Sequence, residues 1–178
     1  MLFSGKFIRK KRPGDIIEAV RCIPDCERPI IVFVGSGELE DELRSHALRC
    51  KVRCVFLGFK NQSQLPACYA AADTLILPSD GGETWGLVVN EAFACGVPAI
   101  VSDSCGCSPD LIEPGVTGFT FPMGDIATLS GVIQKMRVLK ASRHDWEKAL
   151  ENRLESFSVK SCVKGTLEAV NALVVREK

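Results

Sequence analysis

The chain has 178 residues, of which 46 % are hydrophobic and 25 % are charged, and its 22 basic side chains balance 22 acidic ones. This length and composition predict one globular domain and exclude both a large multidomain enzyme and a disordered chain. A net charge of zero argues against a nucleic-acid partner, and no apolar stretch approaches the roughly 18 residues that a membrane span requires.

Cysteine usage indicates a reducing compartment. The nine cysteines are odd in number, form no C-x-x-C pair and are too sparse for a disulfide-rich scaffold. Their spacing does not match a zinc site, and only His46 and His144 are present to complete one. The first residues do not resemble a signal peptide. We therefore expect reduced, mostly buried thiols in a cytoplasmic protein without a metal site.

Short apolar runs alternate with amphipathic stretches up to Pro122. This alternation predicts a doubly wound, Rossmann-like α/β fold, in which helices cover a parallel sheet of about six strands. The predicted strands are Leu2–Ser4, Ile30–Val34, Val52–Leu57, Thr74–Leu77, Ala99–Val101 and Phe119–Phe121. The predicted helices between them are Pro13–Cys22, Glu38–Arg49, Ser63–Ala72, Thr84–Cys95 and Pro109–Glu113.

Three C-terminal helices are predicted after Pro122, where the strand pattern stops. They are Asp125–Leu139, Arg143–Ser156 and Val159–Val175. The last helix carries an apolar stripe at helical spacing, which is typical of a face that packs on a neighbouring element. Because no linker or repeat interrupts the pattern, we predict that residues 1–178 form a single domain.

The loops that follow the predicted strands form the candidate site, because ligands of parallel sheets bind at the carboxyl ends of the strands. Gly81 and Gly82 precede a helix whose first N–H groups suit a phosphate. In that helix Glu91 is the only charged residue between Trp85 and Cys95. Burying a carboxylate alone is costly. Its partner is therefore either a ligand, such as a ribose with two hydroxyls, or a nearby lysine or arginine.

Two other loops carry weaker signals. In Lys6–Arg12, after the first strand, five of seven residues are basic, so the run either neutralises a diphosphate or is a solvated turn. Gly35 and Gly37 precede a helix as in a dinucleotide site, but Glu40 stands where the third glycine belongs. No D-x-D pair is present to hold a phosphate-bridging cation.

Five segments, in order, resemble the C-terminal, donor-binding half of family 4 (group 1) glycosyltransferases with the GT-B fold. They begin at FSGKFIRKKR, IVFVGSGELE, VFLGFKNQSQ, GGETWGLVVNEAFACGVPAIVSD and GCSPDLIEPGVTGF. The resemblance runs from about Leu2 to Leu129 and includes the E-x7-E signature of the family at Glu83 and Glu91.

The resemblance implies a retaining, metal-independent transfer of a sugar from a nucleoside-diphosphate sugar to an unidentified acceptor, with no other cofactor. Lys6 and Lys11 would contact the donor diphosphate and Glu83 would lie near the transferred sugar, which makes these three the candidate catalytic residues. Glu91 would bind the nucleotide ribose. The other implied donor contacts are the backbone amides of Gly86 and Leu87 and a base pocket at Phe59 and Lys60. Gly35, in the glycine loop after the second predicted strand, is a further candidate for donor binding.

The sequence departs from the family pattern in two residues and in extent. Lys6 replaces a common arginine, which loses a bidentate donor but keeps the charge, and Asp110 replaces a common glutamate. Enzymes of this fold also have an N-terminal acceptor-binding domain, so we expect this chain to be half an enzyme that binds the donor and transfers little. Peripheral binding of the complete enzyme to a membrane surface is compatible with this expectation.

Three further expectations concern partners and alternatives. In the family a C-terminal helix often crosses to the other domain, and an apolar stripe left exposed there would favour self-association. A non-catalytic nucleotide-sugar-binding module, or a subunit that docks on a separate acceptor domain, is one alternative function. Half of an epimerase or phosphorylase of the same fold is another.

Overall fold

The structure, a computed structural model, describes residues 1–141 and 146–176, with side chains for residues 1–140 and 146–173. A parallel six-stranded sheet in the order β3-β2-β1-β4-β5-β6 forms its centre. The strands are β1 Leu2–Ser4, β2 Ile31–Val34, β3 Cys54–Phe56, β4 Leu75–Leu77, β5 Ala99–Ser102 and β6 Gly118–Phe121. This is the strand order of a Rossmann-type sheet, so the predicted fold class is confirmed.

Helices connect and cover the strands. Those in the described ranges are α1 Pro13–Arg21, α2 Glu40–Cys50, α3 Leu65–Ala70, α4 Leu87–Ala94, α5 Ser108–Leu111, α6 Ile126–Ala141, α7 Glu147–Ser156 and α8 Val159–Arg176. Helix α1 packs against α2 and α6, whereas α4 packs against α3 and α7. None of the described helices is long and apolar enough to cross a bilayer.

The interior of the sheet is apolar. Every residue of β4 and β5 is buried, which is the pattern of parallel strands covered on both faces. Four phenylalanine rings from β1, β2, β3 and the loop after β1 pack together, with neighbouring centroids 5.0–6.3 Å apart: Phe3, Phe33, Phe56 and Phe7. Since Phe7 lies just beyond β1 and is fully buried, it anchors the loop that carries the basic run.

Several predicted boundaries shift. The strand predicted over Val52–Leu57 is the shorter β3, and the helix predicted from Thr84 begins at Leu87, because Gly86 has a left-handed φ of 105° that a helix interior does not accommodate. The helix predicted from Arg143 starts outside the described residues, and its described part is α7.

The glycine loop after β2 packs tightly against the loop after β1. A Cβ atom at Gly35 would lie 1.9 Å from the carbonyl oxygen of Gly5, and one at Gly37 would lie 2.5 Å from that of Phe7. The N–H of Phe7 donates to the carbonyl of Ser36 over 3.0 Å. Glycine is therefore required here for the two loops to dock, independently of any ligand.

Candidate functional site

A cleft of about 460 Å³ opens at the carboxyl ends of β1 and β2. Four of the residues predicted from the sequence line it together: Lys6, Gly35, Phe59 and Lys60. The other lining residues are Ser4, Gly5, Val34, Ser36, Gly37 and Leu65. Parallel strands end at one edge of the sheet, which is why loops distant in sequence meet here.

The cleft combines positive charge with an exposed ring. Lys6 and Lys60 each contribute an ammonium group, and Phe59 is 76 % exposed. A phenylalanine that remains this exposed offers a face on which a planar ring can stack. A ligand that is aromatic at one end and anionic at the other therefore matches the lining.

A second cluster lies at the carboxyl end of β4. The ammonium of Lys11 forms an ion pair with the carboxylate of Glu83, and the two side chains are 18 % and 15 % exposed. The hydroxyl of Ser79 donates to the same carboxylate oxygen over 3.3 Å. The N–H of Asp80 donates to the carbonyl of Lys10 over 2.9 Å, which ties the two loops together. The predicted catalytic residues Lys11 and Glu83 thus neutralise each other's charge.

The start of α4 lies beside this cluster. A Cβ atom on Gly86 would lie 3.7 Å from Cγ of Glu83 and only 2.7 Å from Cδ2 of Leu77. No side chain caps α4, and within the described residues the N–H groups of Gly86 and Leu87 donate no hydrogen bond. The helix therefore presents unpaired donors and the positive end of its dipole. The side chain of Leu87 instead lines an apolar groove beside Phe157.

Glu91 has a neutral partner. The hydroxyl of Tyr69 donates to Oε2 of Glu91 over 2.6 Å, so the predicted alternative of an ion pair with a lysine or arginine is wrong for the described residues. Oε1 has no hydrogen-bond partner among them. Burial, and then this hydrogen bond, raises the pKa of Tyr69, which keeps its hydroxyl a donor. Ser4, a cleft residue, has the opposite and smaller effect on this pKa.

Sequence reasoning assigned no role to three polar residues of this region: Ser4, Tyr69 and Ser79. Ser4 ends a predicted strand and Ser79 lies two residues beyond another, which is a usable signal for a residue at the carboxyl edge. Tyr69 is the single tyrosine of the chain, but nothing in its neighbourhood indicates a partner in another helix.

Comparison with known proteins shows similarity to glycosyltransferases. The family described as "Glycosyl transferases group 1" matches residues 1–153. The chain is similar to the sulfoquinovosyl transferase of Arabidopsis thaliana, with 34 % identity over 133 residues, or 71 % of this chain and 25 % of that enzyme. It is 30 % identical over 135 residues to the phosphatidyl-myo-inositol mannosyltransferase of Mycobacterium leprae, covering 75 % of this chain and 36 % of that protein.

Solved structures share the fold. The HepE protein of Anabaena, crystallised with UDP, has a TM-score of 0.80 at 22 % identity, covering 96 % of this chain and 48 % of HepE. Sucrose-phosphate synthase of Thermosynechococcus elongatus gives 0.80 at 24 % identity, covering 99 % and 45 %. The chain thus spans less than half the length of these relatives. Since the family match extends over most of its residues, the chain belongs to the group 1 glycosyltransferases.

Proposed function

We propose that the chain is the donor-binding half of a retaining, metal-independent family 4 glycosyltransferase that uses a nucleoside-diphosphate sugar. One observation carries the proposal: Lys6, Gly35, Phe59 and Lys60 line a single cleft at the carboxyl edge of the sheet. The fold relative HepE was crystallised with UDP and with UDP-glucose, which supports a ligand of this class.

In the proposed orientation, the donor runs along these residues from Phe59 to Glu83. The base stacks on the exposed ring of Phe59, and the ribose reaches the free Oε1 of Glu91. The diphosphate lies between the ammonium of Lys6 and the unpaired N–H groups at Gly86 and Leu87. In this order the diphosphate also contacts Lys11, and the sugar lies next to Glu83, the ion-pair partner of Lys11.

Electrostatic stabilisation is the catalytic contribution of this half. When the bond between the anomeric carbon and the diphosphate breaks, negative charge grows on the leaving group and positive charge on the sugar ring. Lys6, Lys11 and the amino-terminal end of α4 stabilise the leaving group. Glu83 orients sugar hydroxyls and supports the positive charge. Two lysines and a helix end supply the charge that a metal ion would otherwise supply, and the resemblance supports retention of configuration.

The acceptor site belongs to a second domain in this proposal. The chain spans 48 % of HepE and 45 % of the sucrose-phosphate synthase, and a domain of the remaining size would bind the acceptor and close over the donor. We also place the protein in the cytoplasm, because its nine cysteines are odd in number and form no C-x-x-C pair, a pattern that favours reduced thiols and a reducing compartment.

Calorimetry with UDP, GDP and ADP tests the proposal directly. We expect one of the three to bind the chain at micromolar to millimolar concentration, with the corresponding nucleotide sugar competing for the same site. A chain that binds none of them at millimolar concentration would contradict the proposed donor site. Binding that persists without any sugar transfer, once an acceptor domain of a relative is supplied, would favour a non-catalytic module.

A further inference from the structure

Three metal-ligating side chains converge between α1 and α2, apart from the donor cleft. One ligand atom from each of Glu18, His46 and Cys50 lies within 4.8 Å of the other two. Nε2 of His46 is 2.5 Å from Oε1 of Glu18, and Sγ of Cys50 is 4.0 Å from the same oxygen. Over the described ranges no other histidine, cysteine and carboxylate side chains group in this way.

Helix geometry explains the convergence. His46 and Cys50 are four residues apart in α2, so their side chains share one face of that helix. This face meets α1 at Glu18, since the two helices pack against each other. Cys50 is the last residue of α2, a helix that runs back from the carboxyl edge of the sheet. The cluster therefore lies toward the edge opposite the donor cleft.

A cation on the neighbouring turn fixes the carboxylate. Nη2 of Arg21 lies 2.7 Å from Oε2 of Glu18, which leaves Oε1 facing His46 and Cys50. A ligand oriented by an outer hydrogen bond is the usual arrangement around a metal ion in proteins.

We propose that Glu18, His46 and Cys50 bind one Zn²⁺ ion, with water as the fourth ligand. An imidazole nitrogen, a thiolate and a carboxylate oxygen are the protein ligands that Zn²⁺ takes in tetrahedral sites, and the thiolate disfavours Mg²⁺ and Ca²⁺. The side chains of His46 and Glu18 are 20 % and 32 % exposed, so the ion and its water have access from solvent.

The rearrangement that the ion requires is small. Ligands of a tetrahedral Zn²⁺ stand roughly 3.5 Å apart. The contact between His46 and Glu18 therefore opens by about 1 Å, and Sγ of Cys50 moves about 0.5 Å closer to Oε1 of Glu18. Zn²⁺ binds an unprotonated imidazole nitrogen and a thiolate, so binding is coupled to the release of protons. The resulting bridge joins α1 to α2 and stabilises the fold without entering the transfer chemistry.

Metal titration of the complete chain tests this site. We expect calorimetry to show one Zn²⁺ bound per chain, and Co²⁺ to give the absorption band of a thiolate-bound ion. Glu18→Gln, His46→Ala and Cys50→Ser should each weaken Zn²⁺ binding at least about tenfold, since each removes one of three protein ligands. Cys162→Ser is the matched control, because Cys162 is an exposed free thiol on α8.

Thermal unfolding gives an independent readout. Zn²⁺ should raise the melting temperature of the parent chain and of Cys162→Ser, and leave that of Cys50→Ser unchanged, because a ligand stabilises only the state that binds it. The proposal is overturned if the parent chain binds no Zn²⁺, or if the three variants bind it as tightly as the control. Should a variant not fold, as judged by circular dichroism, the Co²⁺ spectrum of the parent chain decides, and the absence of a thiolate band refutes the site.

Discussion

The hydroxyl of Tyr69 donates a 2.6 Å hydrogen bond to the carboxylate of Glu91, which lies 22 residues further along the chain. Tyr69 belongs to α3 and is buried, and α3 packs against α4, where Glu91 lies. The hydrogen bond occupies Oε2 and leaves Oε1 for another partner. Tyr69 is therefore a positioning residue for the carboxylate that we propose binds the ribose.

The first prediction concerns the order of effects in this pair. Glu91→Ala should weaken nucleotide binding more than Tyr69→Phe does, because the first change removes the proposed contact and the second only its orientation. For Tyr69→Phe we expect a loss of about two- to tenfold, the equivalent of one hydrogen bond. Calorimetry with the nucleotide that the parent chain binds measures both effects.

Glu113→Ala is the control for this comparison. Glu113 is exposed and pairs with Arg153 over 2.7 Å, away from the cleft. Its substitution should leave nucleotide affinity unchanged. Equal losses of nucleotide affinity for Glu91→Ala and Glu113→Ala would contradict the proposed contact of Glu91 with the ribose.

The second prediction concerns the ion pair of Lys11 with Glu83. Because both side chains are more than four-fifths buried, removing one leaves the other charge poorly solvated. A double-mutant cycle with Lys11→Met and Glu83→Gln should give a coupling of about 1–3 kcal/mol in the free energy of unfolding. The same cycle on the exposed pair of Lys164 and Glu168, 3.8 Å apart, should give almost none. Similar couplings for the two pairs would contradict the burial argument.

The third prediction concerns the glycine at the start of α4. Gly86→Ala should lower the free energy of unfolding by about 2–4 kcal/mol, because φ is positive and the new Cβ would overlap Leu77. Gly81→Ala should cost less than about 0.5 kcal/mol, since open space surrounds that position. Urea unfolding of the two variants measures the difference, and comparable stabilities would show that Gly86 is not conformationally required.

The fourth prediction concerns the exposed stripe of α8. Val163 and Leu167 are 53 % and 59 % exposed and line an apolar groove with Trp85 and Phe157. Such a surface favours association, so the sedimentation coefficient should rise with protein concentration. Leu167→Glu should suppress this rise, whereas Lys160→Glu, a change of an exposed polar residue on the same helix, should not. A coefficient independent of concentration in the parent chain would refute the prediction.

The fifth prediction concerns alkaline pH. Burial raises the pKa of the Cys54, Cys105 and Cys107 thiols from 9.0 to about 12. Between these values the folded chain keeps protons that the unfolded chain releases, so the stability present below pH 9 is lost as the pH rises toward 12. Urea unfolding should therefore show a lower free energy at about pH 10 than at about pH 8.

Replacement of one of these thiols identifies the cause of the pH effect. Cys105→Ala should make the free energy of unfolding less dependent on pH in this range, while Cys162→Ser, which changes an exposed thiol, should leave the dependence as it is. If Cys105→Ala retains the full dependence, burial of that thiol does not contribute to it.

Apolar periodicity located all six strands within two residues, because buried parallel strands consist of short, uninterrupted apolar runs. Helix starts were harder. The start of α4 depends on the left-handed Gly86, where a Cβ atom would lie 2.7 Å from Cδ2 of Leu77 and 3.3 Å from Sγ of Cys107, both distant in sequence. A single sequence contains no signal for such contacts.

In the candidate site, too, some features could be predicted from the sequence and others could not. The loops that carry Lys6, Gly35, Phe59 and Lys60 could be assigned to one edge of the sheet because each follows a strand, and parallel strands end at one edge. Within its loop, the pair of Phe59 and Lys60 is selected by the family resemblance. The partner of Glu91 could not be predicted, since a half-buried carboxylate accepts a hydrogen bond from a hydroxyl as well as from a cation. The choice of Tyr69 follows from how α3 packs on α4. The contact of Glu18 with His46, 28 residues along the chain, could not be predicted either, because it follows from how α1 packs on α2.

The position of β1 in the sheet has a mechanical consequence. Leu2–Ser4 is only three residues long, yet it joins β2 on one side to β4 on the other. A nucleotide that contacts Lys6 and the start of α4 would bridge this short strand. It would hold together the two halves of the sheet, β3-β2 on one side of β1 and β4-β5-β6 on the other. Protection from proteolysis on nucleotide binding should therefore extend to both halves, far beyond the loops that the ligand touches.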